Sequence, residues 1–521
     1  MTKNILIFSD GTGQAGGLKP EQRLSNIYKL YRASKIGPDS NIDPKLQVAY
    51  YDAGIGSDLD DKVVKFSKLQ PLWKIFSMAT GTGISRNIAD CYEYILKVYE
   101  PGDRIYLFGF SRGAYTVRCL GGVLSLCGVP TTDENGGSLT NYGNSIRRIA
   151  KEAVEMVYLH GAGKGTQKAS EELKTFKAVH SEHFIKGEPL AIPDSHRYKQ
   201  LQSQVTKDEK INNEYRGQRQ VLASRFRKKY SSDSNGKPNV VPYFIGVFDT
   251  VAALGAKGIV GILLKVLALT IFSMLVYFAN QFVLGYFDIG YWLSFAYTSI
   301  ALLIISYLVY VWYAYRRIDD YPVEGTHKWH IANFLKFEFY DKSLNPDVYA
   351  ARHALAIDES RKDFSRVQWG DRELKRSDGE PEWMKQFWFP GCHSDIGGSY
   401  PEDESRLSDV ALKWMIDEVM SLPYPIKVDR EKLKLYPDPL GLMHDETILW
   451  VEMLQSYLPN WWPNSLIPKW KVRHRVDASG GTHHASVGER LRASTVSCCG
   501  RISSYAPKAL RLDKRYPELG N

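Results

Sequence analysis

Short runs of almost continuously apolar residues recur along the chain, and each run stops abruptly at polar residues or at glycine. Such runs are typical of strands in a parallel sheet, because both faces of that sheet are covered and neither needs alternating polar side chains. The pattern therefore predicts five strands: Asn4–Phe8, Leu46–Tyr51, Arg104–Phe108, Pro242–Phe248 and Phe387–Phe389.

A helical pattern separates the second and third of these strands. Apolar residues there fall on one helical face, namely Ile84, Ile88, Cys91, Ile95 and Val98. The alternation of strand, helix and strand predicts an α/β fold, with a mostly parallel sheet flanked by helices. Functional residues of such folds gather at the carboxyl ends of the strands, so the chemistry is expected there.

Two long segments interrupt this pattern. The first, from about residue 135 to 239, is highly charged and includes the basic run RFRKKY at Arg225–Tyr230, so it is predicted to form a helical surface insertion. The second, residues 257–317, is strongly apolar and is predicted to form an inserted transmembrane helical hairpin. The remaining chain is predicted to form two parts. The core comprises residues 1–134, 240–256 and 318–428, and the C-terminal mixed cap comprises residues 429–521.

The apolar segment has the length and flanks of two membrane-spanning helices. No charged residue occurs in Val266–Phe287 or in Ile289–Tyr315, and a helix of 22 residues extends about 33 Å, enough to cross a hydrocarbon core of about 30 Å. Lys257 and Lys265 flank the open end, whereas the turn at Asp288 has no lysine or arginine. The positive-inside rule then predicts a cytoplasmic-membrane location with the α/β domain on the cytoplasmic side. An apolar lid and a buried core hairpin are the alternatives.

Composition narrows the partners and the compartment. The 521-residue chain has a formal net charge of +9, which suits either an anionic membrane surface or an ordinary solvated surface, and no nucleic-acid-binding motif accompanies it. Its six cysteines form no Cys-x-x-Cys pair and no disulfide-like framework, which favours the reducing cytosol. No Cys/His cluster indicates a metal, and no cofactor is expected. The first residues enter a strand directly, so no secretory signal is expected.

The pentapeptide GFSRG, at the end of the third strand, is the strongest candidate for chemistry. Ser111 lies between Gly109 and Gly113, and the helix-like segment RGAYTVRCLGGVLSL follows directly. A G-x-S-x-G motif requires this strand–turn–helix setting, because a sharp turn lifts the serine hydroxyl clear of the sheet. Ser111 is therefore predicted to be a nucleophile.

A serine nucleophile needs a histidine that takes its proton and a carboxylate that orients the histidine. Asp249 directly follows the fourth strand, and His393 lies in a glycine-rich loop after the fifth. Both residues stand at strand ends, in the chain order of an α/β-hydrolase triad. Asp395, two residues from His393, is a rival acid, and Asp10 is a further secondary candidate.

The first strand runs into the loop SDGTGQAGG, whose glycines have the G-x-G-x-x-G spacing of a dinucleotide-binding loop. That fingerprint requires a helix that starts within the loop, whereas this helix is predicted to begin only near Ser25. A hydrolase of this type instead needs two backbone N–H donors for its oxyanion, one of them from the residue after the nucleophile. We therefore predict an oxyanion hole formed by the loop residues Gly11, Thr12 and Gly13 together with Arg112.

Six segments together are specific enough to indicate a family. They are FSDGTGQ (Phe8–Gln14), YYDAGIGS (Tyr50–Ser57), GDRIYLFGFSRGAYTVR (Gly102–Arg118), FIGVFDTVAALG (Phe244–Gly255), ARHALAIDESR (Ala351–Arg361) and WFPGCHSDIGGSY (Trp388–Tyr400). On these segments the chain resembles the α/β-hydrolase family of formerly unknown function that includes type VI secretion phospholipase effectors. The resemblance implies Ser111 as nucleophile, Asp249 as acid, His393 as base, and ester hydrolysis of the phospholipase A type. His353 and His484, in family-like segments, are predicted to be structural.

The leading hypothesis is thus a membrane-associated serine hydrolase that cleaves acyl esters of glycerophospholipids through an acyl-enzyme. Its expected partners are the phospholipid substrate and the bilayer, while homo-oligomers and a regulatory or immunity partner are left open. Two rivals stand beside it. One is an esterase or thioesterase for a soluble acyl substrate, with the hairpin as lid, and the other is a non-catalytic, membrane-anchored binding scaffold.

Overall fold

A computed structural model describes the chain over residues 2–12, 14, 16, 23–54, 82–139, 144–162, 164, 168–180, 192–251, 258–287, 290–331, 343–370, 374, 376–457, 459, 463, 465, 467, 469–511 and 513–519. Seven strands form the central sheet, all pairs parallel, in the order β7-β6-β5-β4-β3-β1-β2. The strands are β1 (Asn4–Ser9), β2 (Gln47–Asp52), β3 (Arg104–Phe110), β4 (Phe244–Phe248), β5 (Ala350–Ala356), β6 (Met384–Phe389) and β7 (Thr482–His483). The predicted parallel α/β fold is confirmed.

Helices join and cover the strands. In chain order they are α1 (Asn26–Ser34), α2 (Thr82–Val98), α3 (Arg112–Cys127), α4 (Asn144–Lys151), α5 (Lys168–Val179), α6 (Ile192–Lys229), α7 (Gly258–Leu284), α8 (Tyr291–Ala314), α9 (His393–Gly397), α10 (Arg406–Met420), α11 (Glu446–Tyr457) and α12 (Ala485–Arg492). A π-helical segment, Glu152–Tyr158, continues α4. Short antiparallel ribbons pair Asp233–Ser234 with Lys237–Pro238, Tyr315–Asp319 with His327–Ile331, and Val496–Cys498 with Arg501–Ser503.

Both faces of the sheet are buried, which explains the nearly continuous apolar runs. Ile5 and Ile7 of β1 point into the core formed with α2 and α3, whereas Leu6 and Phe8 point into the opposite core, formed with α1 and α10. Successive side chains of a strand face opposite sides, so a strand covered on both sides needs apolar residues at every position. The carboxyl ends of the strands are thereby fixed at one edge of this rigid layer.

The apolar segment forms two long helices, α7 and α8, and the predicted turn residue Asp288 between them lies outside the described residues. Large apolar side chains of this hairpin are exposed, for example Trp292 at 79% and Trp312 at 81%. Among the residues described, one helix, Tyr291–Ala314, is long and apolar enough to cross a bilayer, and α7 contributes the shorter apolar stretch Leu269–Leu284. The insertion of a hairpin of two spanning helices therefore stays a prediction.

Candidate active site

The first strand–turn–helix unit of the site carries Ser111. Strand β3 ends at Phe110, α3 begins at Arg112, and Ser111 between them has φ 58° and ψ −119°. A positive φ is unfavourable for a serine, and such strain persists only where the surrounding structure imposes it, often at a functional site. The Ser111 N–H donates to the Phe248 carbonyl at 3.1 Å, so the turn is tied to the end of β4.

The two glycines of the pentapeptide permit this turn. A Cβ atom on Gly113 would lie 2.0 Å from the Ser9 carbonyl oxygen, and one on Gly109 would lie 2.5 Å from the Gly113 carbonyl oxygen. Both contacts are with backbone, which cannot give way as a flexible side chain could. The close approach of α3 to β1 and β3 therefore requires glycine at both positions.

The second unit joins Asp249 to His393. Asp249 directly follows β4, and His393 is the first residue of α9, in the loop after β6. The His393 Nδ1 atom lies 2.5 Å from Asp249 Oδ2, and both side chains are buried. In the described part of the chain, His393 Nε2 has no hydrogen-bond partner. One ring nitrogen is thus held by a carboxylate while the other is left for a further contact.

Asp249 is held on every side. Its Oδ1 accepts from the Ala356 N–H at 3.1 Å and from Arg475 Nη1 at 2.5 Å, and its Oδ2 also accepts from Arg475 Nη2 at 3.1 Å. Complete burial raises the pKa of this carboxyl, but the Arg475 charge and the contact with His393 outweigh burial and hold the pKa well below its ordinary value. Asp249 is accordingly an ionised carboxylate with a fixed orientation.

The His393 ring is fixed by packing. Phe110 stacks on it with ring centroids 4.7 Å apart, and Phe364 meets it edge-on at 5.3 Å. The His393 backbone N–H donates to Glu359 Oε2 at 3.3 Å, and Glu359 is in turn bound by Arg361. These contacts restrict rotation of the imidazole, so its free nitrogen keeps one direction.

Ser111 and His393 line the same cavity, which has a volume of about 360 Å³. Its walls are partly apolar, from Phe110, Val251 and Phe364. Other wall positions come from Thr12 and Arg112, two of the residues predicted for the oxyanion hole. A serine, a histidine and apolar side chains therefore line one cavity, which is the arrangement that an acyl ester would require.

The predicted oxyanion donors differ in their availability. The Gly11 N–H donates to Asp10 Oδ1 at 2.7 Å, so this group already has an acceptor, and its role in the oxyanion hole stays a prediction. Thr12 lines the cavity, and its Oγ1 is buried without a hydrogen-bond partner in the portion of the chain described. Gly13 lies outside the described residues. Arg112, at the start of α3, is buried, and burial lowers the pKa of its guanidinium to about 10.

The two secondary acids have other partners than His393. Asp10 accepts from Ser25 Oγ at 2.5 Å and from Tyr51 OH at 2.8 Å, which ties the loop after β1 to the start of α1 and to β2. Asp395 accepts from His444 Nδ1 at 2.7 Å and from the Cys392 backbone N–H at 3.0 Å. Burial raises the Asp10 pKa to about 6, against the opposing effect of its hydrogen bonds.

Several site residues escaped sequence analysis. Arg475 and His444 come from the region after residue 428, and Glu359 lies within the segment ARHALAIDESR without any motif that marks it. No sequence motif marks these residues, and only their contacts with Asp249, Asp395 and His393 in the structure reveal them. The two histidines predicted to be structural are satisfied locally: His353 contacts Thr250 Oγ1 and Gln386 Oε1, and His484 caps α12.

No metal centre accompanies this arrangement in the part of the chain that is described. Groups of three or more His, Cys, Asp or Glu side chains that could hold an ion are absent among those residues. The six cysteines are all free thiols, and four of them are buried.

Comparison with known proteins assigns the family. A sequence model described as "T6SS, Phospholipase effector Tle1-like, catalytic domain" matches residues 3–266 and 319–418, and the chain belongs to this family. The matched ranges include Ser111, Asp249 and His393. They omit most of the α7–α8 hairpin and the whole region after residue 418.

Individual proteins resemble the chain more remotely. An uncharacterized protein of Saccharomyces cerevisiae, YEL023C, is 36% identical over 130 residues, which are 24% of this chain and 18% of the yeast protein. A crystal structure of an uncharacterized Pseudomonas aeruginosa protein shares 16% identity at a TM-score of 0.33, covering 83% of this chain and 47% of that one. The Tle1 effector bound to the VgrG spike of the type 6 secretion system also shares 16% identity, at a TM-score of 0.27, covering 78% and 53%. The chain thus spans about half the length of these two solved proteins, 47% and 53%. Its match to the yeast protein covers 18% of that protein.

Proposed function

We propose that the chain is a membrane-associated serine hydrolase that cleaves acyl esters of glycerophospholipids, an activity of the phospholipase A type. Membership in a family of phospholipase effector catalytic domains supports the substrate class. One observation carries the chemistry: a buried carboxylate, Asp249, orients His393, which lines the same cavity as Ser111 and whose other nitrogen is unpartnered in the described part.

Each side chain has one role in the proposed reaction. His393 Nε2 takes the proton of the Ser111 hydroxyl as Oγ attacks the carbonyl carbon of the ester, and negative charge forms on the carbonyl oxygen. The bond to the lysophospholipid oxygen then breaks, and that oxygen receives the proton from His393. Water repeats the sequence on the acyl-serine and releases a fatty acid. Asp249 stays ionised and stabilises the charged imidazole.

The oxyanion is held by backbone N–H groups at the mouth of the turn. The Arg112 N–H begins α3 beside the nucleophile, and the positive end of the helix dipole favours negative charge at this place. The second donor comes from the loop after β1, at Thr12 or Gly13, because the Gly11 N–H is engaged by Asp10.

The α7–α8 hairpin anchors this site in the cytoplasmic membrane, with the catalytic core on the cytoplasmic side. Its exposed apolar surface would be unstable in water, whereas hydrocarbon solvates it. Where the helices face each other, Ser294 Oγ donates to the buried Asn280 Oδ1 at 2.6 Å, a polar contact typical of helix pairs in lipid. The hairpin begins just after Asp249, so the cavity lies close to the bilayer and a lipid can enter it directly.

Lipid mass spectrometry tests the activity. The purified protein and its Ser111→Ala variant are incubated with mixed phospholipid vesicles, and we expect lysophospholipid and fatty acid from the first alone. Labelling of Ser111 by a fluorophosphonate, lost in the variant, separates a hydrolase from a binding scaffold. Absence of both products and label from a folded protein would refute the proposal.

Membrane spanning is tested separately. We expect the protein to stay in the membrane fraction during a carbonate wash and to be released only by detergent. Release by carbonate alone contradicts the membrane anchor and favours the hairpin as a lid. Activity on vesicles compared with a soluble short-chain ester then decides between the phospholipase and the soluble-substrate esterase.

A further inference from the structure

The region after residue 428 contributes to the site through Arg475. We propose that Arg475 is a positioning residue for Asp249, which makes this C-terminal region a part of the catalytic unit. The inference rests on the proposed function, because it assigns Asp249 as the acid that orients His393. Arg475 lies outside the residues matched by the family model, so that match gives it no role.

A short antiparallel pairing carries Arg475 to the site. The Lys362 N–H donates to the Lys471 carbonyl at 2.8 Å, and the Arg473 N–H donates to the Ser360 carbonyl at 2.7 Å. Residues 360–362 follow β5, so the pairing aligns the C-terminal segment along the catalytic edge of the sheet. Arg475, two residues further on, then lies beside the end of β4.

The Arg475 guanidinium binds the Asp249 carboxylate in a two-pronged, or fork-like, arrangement. Its two terminal nitrogens reach both oxygens of Asp249, at 2.5 and 3.1 Å. The same nitrogens donate to the Ala356 carbonyl at 3.1 Å and to the Phe364 carbonyl at 2.7 Å. A planar group held at four points cannot rotate, so it fixes the plane of the carboxylate that His393 contacts.

The charge of Arg475 also sets how readily the Asp249–His393 pair takes up a proton. With Arg475 present, the pair and the guanidinium carry no net charge when His393 is neutral, and one added proton makes them positive. The neighbouring carboxylates Glu359 and Asp477 are paired with Arg361 and Arg366, respectively, and these pairs are the same with or without Arg475. Without Arg475, the buried pair alone carries one negative charge, and the added proton neutralises it. Whichever of the two groups binds the proton, uptake then occurs at higher pH.

The experiment compares full-length variants in detergent. Arg475→Met removes the charge and the fork, and Arg475→Lys keeps the charge but loses the fork. Arg490→Met is the matched control, because Arg490 is a fully buried arginine of the same region that donates to the carbonyls of Pro439, Gly441 and Ser497. Circular dichroism and thermal melting establish folding for each variant.

We expect kcat to fall by about 10²-fold in Arg475→Met and by about 10-fold in Arg475→Lys, with KM little changed, because misorientation of the base affects the chemical step. The midpoint of the acid limb of the pH profile should move to higher pH by about one unit in Arg475→Met, and in no other variant. Arg490→Met should change stability without moving either quantity. A folded Arg475→Met variant with wild-type kcat and pH profile would overturn the inference. If Arg475→Met does not fold, a wild-type kcat in Arg475→Lys would overturn it instead.

A readout without substrate separates this inference from the proposed function. In protein with ¹⁵N-labelled histidines, the His393 resonance, assigned with a His393→Gln variant, is titrated with and without Arg475. We expect its midpoint to rise in Arg475→Met and to stay in Arg490→Met. If the wild-type protein fails to react with fluorophosphonate, the proposed function fails, while an unchanged midpoint alone contradicts the positioning by Arg475.

Discussion

Two buried histidine–aspartate pairs lie close together in this protein, and they differ in the contact that the second ring nitrogen of each histidine makes. His393 contacts Asp249 at 2.5 Å and His444 contacts Asp395 at 2.7 Å, each through Nδ1. The second nitrogen of His444 contacts Glu404 Oε2 at 3.2 Å, whereas that of His393 is unpartnered in the described residues, and His393 lines a cavity. The same pairing therefore engages both nitrogens of His444, whereas it leaves one nitrogen of His393 available for the base role that we propose.

The two carboxylates differ in the same way. Asp249 balances a buried charge, that of Arg475, and its partner His393 is one of the residues that line the cavity. Asp395 instead accepts from the backbone N–H groups of Cys392 and His444, both at 3.0 Å, so it holds the loop of His393 from below. His393 and Asp395 are two positions apart in α9, and the helix turns their side chains in different directions. His393 therefore has the proposed chemical role, whereas Asp395 has a structural one.

The largest difference between the pairs should appear on removal of the imidazoles. We expect His393→Ala to lower kcat/KM for phospholipid hydrolysis by at least about 10³-fold, because the proposed reaction assigns uptake of the serine proton to His393. His444→Ala should lower the rate per folded molecule by about 10-fold or less, since its effect passes through the position of the loop. Initial rates and fluorophosphonate labelling measure both, and equal losses would contradict the division of roles.

The carboxylates should give the next largest difference. Asp249→Asn keeps the shape of the side chain but loses the charge that stabilises the imidazolium, so kcat should fall by about 10²- to 10⁴-fold. Asp395→Asn should instead cost about 1–3 kcal/mol of unfolding free energy, because it weakens buried hydrogen bonds, with a much smaller change in kcat. An inactive Asp395→Asn beside an active Asp249→Asn would reverse the assignment of the acid.

The sequence predicted the parts of the fold that depend on local pattern. Each predicted strand is present within a few residues, and α1 begins as expected with Ser25 as its cap. Strand β5 was not predicted, because Arg352 and His353 interrupt its apolar run. Both are fully buried through specific partners, since Arg352 binds Glu418 and the Glu382 carbonyl, and such long-range compensation leaves no local signal.

The candidate site divides along the same line. Ser111, Asp249 and His393 stand at strand ends, so parallel topology alone brings them to one edge. Arg475 and His444 arrive through chain pairing far from any motif, and neither periodicity nor spacing marks them. The loop after β1 shows a third case: its predicted role as a donor loop follows from its position, but the hydrogen bond from the Gly11 N–H to Asp10 is a side-chain contact that no sequence pattern marks.

The smallest effect concerns pH and would sharpen the contrast most. Burial lowers the pKa of His444, but its bonds to Asp395 and Glu404 outweigh burial and raise the pKa above the ordinary value. A histidine whose pKa is raised by folding stabilises the protein fully below the unfolded pKa of about 6.5, and this stabilisation is lost as pH rises through the folded pKa. Protein stability should therefore include a term from His444 that fades toward alkaline pH.

A His444→Gln variant isolates that term. We expect it to be less stable than the wild-type protein by about 1 kcal/mol near pH 5.5, and the difference should shrink near pH 8.5, when neutral His444 no longer forms an ion pair. Thermal melts at the two pH values measure this. The pH profile of kcat/KM should not shift, because the proposed reaction assigns the proton that governs the rate to the Asp249–His393 pair. A profile that shifts in His444→Gln would mean that the two pairs titrate as one network, and that the contrast in their second nitrogens does not separate structure from chemistry.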